Sequence, residues 1–271
     1  MITQIDHIVV LVRDLGDAMT GATDAGFKVV EGGEHAGGET RNALISFRDG
    51  SYIELLAFVH PDAPGAHYFS ERFRLGTGFG GFALLSDDLE RDVAAIMDRG
   101  VTYPEPTSLG RRRPDGQFLE WRMSLPAELN PGKGFPFLIE DTSDRALRVS
   151  RAERHTSHRN GVIGVAGVAV VVPDLEEVAP AYQAILGAPP VSAIVGVAGK
   201  GILRLRLTGD SGQWIALMQA IPGSRPEASY RRFGSGLFAV SLRTEPATDV
   251  YPGDGDLIEP DLMGNALFYV T

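Results

Sequence analysis

Two rhythms of apolar residues alternate along the chain. An apolar, strand-like run leads into Asp-Leu, and the stretch that follows has its apolar residues three and four apart and closes on glycine. The unit occurs as HIVVLVRDLGDAMTGATDAG from His7, GFALLSDDLERDVAAIMDRG from Gly81 and GVAVVVPDLEEVAPAYQAILG from Gly167. The first part predicts a strand buried on both faces and the second an amphipathic helix. Asp14, Asp88 and Asp174 stand where a carboxylate can accept the free N–H groups of a first turn. Gly26, Gly100 and Gly187 stand where a left-handed residue ends a helix. After each helix the period shifts toward two. FKVVEGGEH, RNALISF and SYIELLAF read as three strands, with Arg48-Asp49-Gly50 turning the last pair, and PVSAIVGV, GILRLRL and QWIALMQAI repeat the pattern. The second copy has a longer excursion, TSLGRRRPDGQFLEWRMSL, before FPFLIED, and a fourth copy starts as GLFAVSLRT but loses its helix to TEPATDVYPGDGD before LIEPDLMGNALFYVT. The prediction is an α+β chain of tandem βαβββ modules with the fourth truncated. It is divided into a two-module unit over 1–145, a polar linker over 146–161 and a second, degenerate unit over 162–271.

Tandem βαβββ modules with a histidine in the first strand and a carboxylate in the fourth resemble the vicinal oxygen chelate superfamily, which includes glyoxalase I, extradiol dioxygenases and bleomycin-resistance proteins. Within it, IDHIVVLVRDL, EHAGGETRNALISF, SYIELLAF, RRRPDGQFLEW and FPFLIED are similar to the glyoxalase-like domain family. The resemblance implies that modules pair into half-open barrels around a small-molecule groove. It also implies that a divalent ion, if one is kept, is gripped from first and fourth strands. His7 and Glu54 hold those positions here. Strand alternation puts His7 on one face with Val9 and Leu11, and Glu54 on one face with Tyr52 and Leu56.

The repeats align internally. Matching the Asp-Leu caps sets Gly81 and Gly167 opposite His7, and matching SYIELL with QWIALM sets Ala216 opposite Glu54. In FPFLIED the matching position is apolar or, with a small register shift, Glu140. Only the first module keeps the pair. Two ligands fall short of the three or four that zinc takes and of the two histidines and one carboxylate of non-haem iron, so His35, and after it His67, are the candidates to complete a set. Three states stay open: a site with Zn, Ni, Mn or Fe on His7 and Glu54, the two side chains hydrogen-bonded to each other as a relic of such a site, or a metal-free acid–base pair of the same residues.

Arg111-Arg112-Arg113 followed by Glu120-Trp121-Arg122 joins guanidinium forks to an aromatic plane, which suits an anion on a flat body; Arg113 and Trp121 are the expected contacts. Asn42 and His35 are further candidates to orient a substrate oxygen. His155 and His158 fall in the polar linker, where solvent is the expected surrounding.

Composition narrows the field. The 271 residues hold no cysteine, which removes disulfides, zinc–thiolate sites, iron–sulfur clusters and thiol nucleophiles. A net charge of -10 argues against nucleic acid and anionic membranes as partners. No apolar run reaches the roughly 18–20 residues of a spanning helix, and the opening MITQIDHIVVLV reads as a strand, not a leader, so a cytoplasmic location is expected. Function narrows to two classes: a lyase or isomerase moving a proton on a small oxygenated or anionic molecule with a metal or the His7/Glu54 pair, or a non-catalytic binder of a drug or metabolite. Dioxygenase chemistry fits less well, because glycine stands in both slots for a second histidine. The second half is expected to be a structural or homodimerisation partner.

Overall fold

The computed structural model describes residues 1–126, 134–187, 192–195, 201–207, 209–244, 256–258 and 267–270. The first module runs β1 (Ile2–Val12), α1 (Leu15–Asp24), β2 (Val30–His35), β3 (Thr40–Ser46) and β4 (Tyr52–Phe58). A short helix, α2 (Ser70–Arg74), leads to the second: β5 (Gly78–Ser86), α3 (Leu89–Asp98), β6 (Thr107–Arg112), β7 (Phe118–Ser124) and β8 (Phe137–Asp141). Two single turns, α4 (Arg145–Arg148) and α5 (Glu153–Thr156), join it to β9 (Val162–Val172), α6 (Leu175–Leu186), β10 (Ser192–Val195), β11 (Gly201–Arg206) and β12 (Trp214–Gln219). The described chain ends with α7 (Arg225–Phe233), β13 (Gly236–Thr244), β14 (Asp256–Ile258) and β15 (Leu267–Val270). The expected replacement of the fourth helix, TEPATDVYPGDGD, lies largely outside the described residues.

The aspartate signals act as read. Asp14 accepts from the Asp17 amide, Asp88 from Arg91 and Asp174 from Glu176, each closing a first turn. Gly187 caps α6 with φ 65°, a conformation that a side chain would strain.

The first two modules pair with each other, β1-β4-β3-β2-β6-β7-β8-β5, in a ring that closes. Closure between β2 and β6 rests on two residue pairs, Glu34 with Arg112 and His35 with Arg111. The remaining strands form an open seven-stranded sheet, β10-β11-β12-β9-β13-β15-β14.

Alternation on the barrel strands separates two cores. Val9, Leu11, Leu56, Phe137 and Ile139 face inward with Phe58, Phe69 and Trp121. Ile8, Val10, Ile53, Leu55 and Leu138 face outward, into a cluster that includes Val168 and Val170 of β9, Leu217 of β12 and Phe268 of β15. One apolar core therefore runs through both halves. Phe79 meets Phe268 edge-on at 5.2 Å, and Gln213 Oε1 accepts from the Ile5 amide at 2.6 Å.

The stretch 146–161, expected to be a polar linker, is built into the fold. Arg148 is buried on α4, and His158 is buried between Phe27 and Phe47, where its Nδ1 accepts from the Lys28 amide. Arg148, His155, His158 and Asn160 each meet a partner in the fold, and a sequence does not display those partners. No helix among the described residues is long and apolar enough to cross a membrane.

Candidate functional site

The barrel encloses a cavity of about 380 Å³, the size range of small-ligand pockets. Its polar side is made by His7, His35, Asn42, Tyr52, Glu54 and Arg111, and its apolar side by walls that include Leu56, Tyr68, Phe69, Trp121, Met123 and Phe137. Inward-facing positions of β1, β2, β3, β4 and β6 supply the first set, since every second residue of a strand points to the same face.

His7 is the most tightly positioned. Its Nδ1 lies 2.7 Å from Asp6 Oδ2, and its ring stacks on Tyr52 at 4.6 Å between centroids. Asp6 is fully enclosed, held from Arg148 at 2.7 and 3.2 Å and from Arg145 at 2.6 Å. Asp141 grips the same two arginines from the other side, and Arg148 also donates to the Tyr52 hydroxyl. Burial alone would raise the carboxyl of Asp6, but the guanidiniums of Arg148 and Arg145 and the hydrogen bond with His7 hold it well below the usual carboxylate range. A carboxylate can only accept, so it fixes Nδ1 as the protonated nitrogen and leaves the Nε2 lone pair free.

That nitrogen lies 3.6 Å from Glu54 Oε2, too far for a hydrogen bond. His35 Nε2 lies 3.5 Å from the other oxygen, Oε1, and Asn42 Nδ2 donates to Oε1 at 2.5 Å. Burial would raise Glu54, yet the imidazoles of His35 and His7, the Asn42 amide and Arg111 keep it below the ordinary glutamate value. His35 is lowered by burial in spite of Glu54, and its Nδ1 meets Thr40 Oγ1 at 2.8 Å.

The structure thus brings His7, His35, Asn42, Glu54 and Trp121 around one cavity. Arg113 lies elsewhere, on a second cavity of about 240 Å³ where it pairs with Asp115 and donates to the Leu147 carbonyl. Arg111 and Arg148 line the main cavity, and both reach the second as well. Arg113 lies beyond the end of β6, where the chain is already turning; Arg111 is within the strand and points inward. The residues missed by sequence reasoning are Asp6 and Arg148, separated by 142 positions and joined only by folding. A charged residue beside His7 on an apolar strand was the available signal for Asp6; nothing local marks Arg148.

Starting from the aligned Gly81 and His7, strand register identifies the counterpart of Glu54. Across β1 and β4, Val9 pairs with Glu54, and across β5 and β8, Ala83 pairs with Phe137. Ala83 is two residues after Gly81 as Val9 is two after His7, so the second module has Gly81 and Phe137 where the first has His7 and Glu54. A Cβ on Gly81 would stand 3.3 Å from the Phe137 ring, so phenyl occupies the vacated half-site. In the third module Gly167 pairs with Trp214 as His7 pairs with Tyr52, and Ala216 replaces the glutamate.

These donors do not fit the divalent ion of this fold. Among the described residues no three His, Asp or Glu side chains are arranged to hold a metal. His7 and His35 address opposite oxygens of Glu54, one of which is committed to Asn42.

A barrel of two βαβββ modules around a ligand cavity defines a member of the vicinal oxygen chelate superfamily, a ligand-binding type of protein. The glyoxalase-like domain model matches residues 5–186, and the chain belongs to that family. A hypothetical protein from Staphylococcus aureus has a similar structure, with 16% identity, a TM-score of 0.73 and 98% of each chain covered. A mutant of 4-hydroxymandelate synthase from Streptomyces coelicolor is similar at 15% identity and TM-score 0.65, covering 90% of this chain and 71% of that one. No curated protein matches the sequence.

Proposed function

We propose that the barrel over residues 1–145 binds a small oxygenated molecule and moves a proton on it, in lyase or isomerase chemistry, with His7 and Glu54 as the acid–base pair and no metal in the step. The second half, 162–271, serves as its structural support. The observation that carries this reading is the chain Arg148–Asp6–His7, which ends on a free Nε2 facing the cavity beside a second ionised base. His7 takes the proton and, as the imidazolium, returns the same proton at a neighbouring atom, while the ionised Glu54 beside Nε2 stabilises the imidazolium in between. His7 Nε2 takes the proton from a carbon next to a carbonyl, and the imidazolium formed is stabilised by Asp6. Asn42, His35 and Arg111, which line the same cavity, are the donors for the oxyanion that develops. Returning the proton at the adjacent carbon isomerises the substrate; expelling a group from it is a lyase step.

The test is deuterium uptake from D2O into 2-oxo acids and hydroxyketones, followed by proton NMR. Uptake above buffer is expected with the native chain, falling about 10²- to 10⁴-fold in His7→Gln and in Glu54→Gln. Uptake that never exceeds buffer, or that survives His7→Gln, overturns the reading. Non-catalytic binding is the second reading, favoured by the phenyl ring of Phe137 where a second acidic ligand would stand.

A further inference from the structure

Among the buried charges of the barrel, Arg111 is set apart. Arg148, comparably buried, is held by Asp6, Asp141 and Tyr52. Arg111 is 3% exposed, and among the described residues its guanidinium has no carboxylate at ion-pair distance; its hydrogen bond is a long one, 3.5 Å from NH1 to Asn42 Oδ1. Burial has lowered its pKa, the sign of a charge kept from water without full repayment. Space is reserved for it as well. A Cβ on Gly32 would collide with both Arg111 NH1 and Asn42 Oδ1, so glycine makes the cradle in which this group lies. An unmet donor lines the same cavity: Trp121 is 6% exposed, and among the described residues its Nε1–H has no acceptor. A buried donor of this kind is nearly always satisfied, so an unpartnered indole N–H on the same cavity as an arginine without a carboxylate points to an acceptor that arrives with the ligand. The opposite walls are apolar and aromatic, with Phe69, Phe137 and Leu56 among them. At the ~30 Å³ a water takes in the liquid, the cavity of about 380 Å³ has room for about a dozen non-hydrogen atoms.

We propose that this cavity selects a small organic monocarboxylate, with the carboxylate on the Arg111 fork and the Trp121 N–H and a flat or apolar body against the aromatic walls. The inference rests on the barrel cavity being the ligand site, and it does not require that proton transfer take place there. It separates acid from amide, because an amide presents the same shape without the charge and turns an N–H₂ toward a donor.

The experiment is isothermal titration of the full chain with phenylacetate against phenylacetamide and with cinnamate against cinnamamide. Each acid is expected to bind at least about tenfold more tightly than its amide. Arg111→Gln should erase that preference while leaving amide affinity within about twofold. Trp121→Phe, which keeps the ring area and removes the N–H, should weaken the acids several-fold and leave the amides unchanged; it carries the test if Arg111→Gln does not fold. Equal affinity for acid and amide in the native chain, a preference that survives Arg111→Gln, or no binding of either acid up to about 10 mM overturns the proposal. His7→Gln separates this outcome from that of the catalytic reading: acid preference should persist in it even where deuterium uptake is lost.

Discussion

At the scale of single residues, the site depends on a carboxylate that never touches the cavity's contents. Asp6 pairs with the buried Arg148 and the half-buried Arg145 and sets the tautomer of His7. Asp6→Asn keeps the shape and removes the charge, so Arg145 and Arg148 lose one of their two shared counter-ions and keep Asp141; a loss of about 3 kcal/mol in urea unfolding is expected. The pH dependence has a definite sign. The carboxyl of Asp6 is depressed in the folded state, so its contribution is fully present above the ordinary aspartate value of about 3.9 and is lost as pH falls from there toward the lower folded value. Asp6→Asn should therefore flatten the acid limb of the stability curve in that window, and an unchanged slope would show that Asp6 is not the group responsible. His7 and Glu54 were legible in the sequence because alternation on an apolar strand assigns a face to each. Arg148 was not, because three groups from β1, β4 and β8 make its surroundings.

At the scale of elements, punctuation was legible and interior substitution was not. The three aspartate caps and the turn at Arg48-Asp49-Gly50 are local chemistry, so a single sequence displays them. The helix α7 was not foreseen: its first turn is set by Ser224 and a proline, and none of its residues is buried, so it has no apolar stripe to read. The vacated half-sites differ in a way only packing reveals. Gly81 has Phe137 at ordinary to slightly tight distance, whereas a Cβ on Gly167 would enter the indole of Trp214. Gly81→Ala should consequently cost under about 1 kcal/mol, and Gly167→Ala about 1–3 kcal/mol, by thermal or chemical melting. A reversed order would mean that the indole moves aside more easily than the phenyl ring.

At the scale of the molecule, one hydrophobic core spans barrel and open sheet, so heating should give one transition with matching calorimetric and van't Hoff enthalpies. Protein purified without chelator should hold less than stoichiometric Zn, Ni, Mn or Fe, and EDTA should leave Tm within about 1 °C. Stoichiometric metal that disappears in His7→Ala would contradict the donor geometry. The module plan was legible because the repeat is written three times; the closing of the ring was not, because it depends on two residue pairs between β2 and β6.

The backbone of the barrel repeats itself, but its lining does not: imidazole and carboxylate furnish one half-site and a phenyl ring the other. A guest with unlike ends consequently has a single way to lie inside. Mirror-image guests cannot then present the same carbon to the same nitrogen, and the cavity is built to tell left from right.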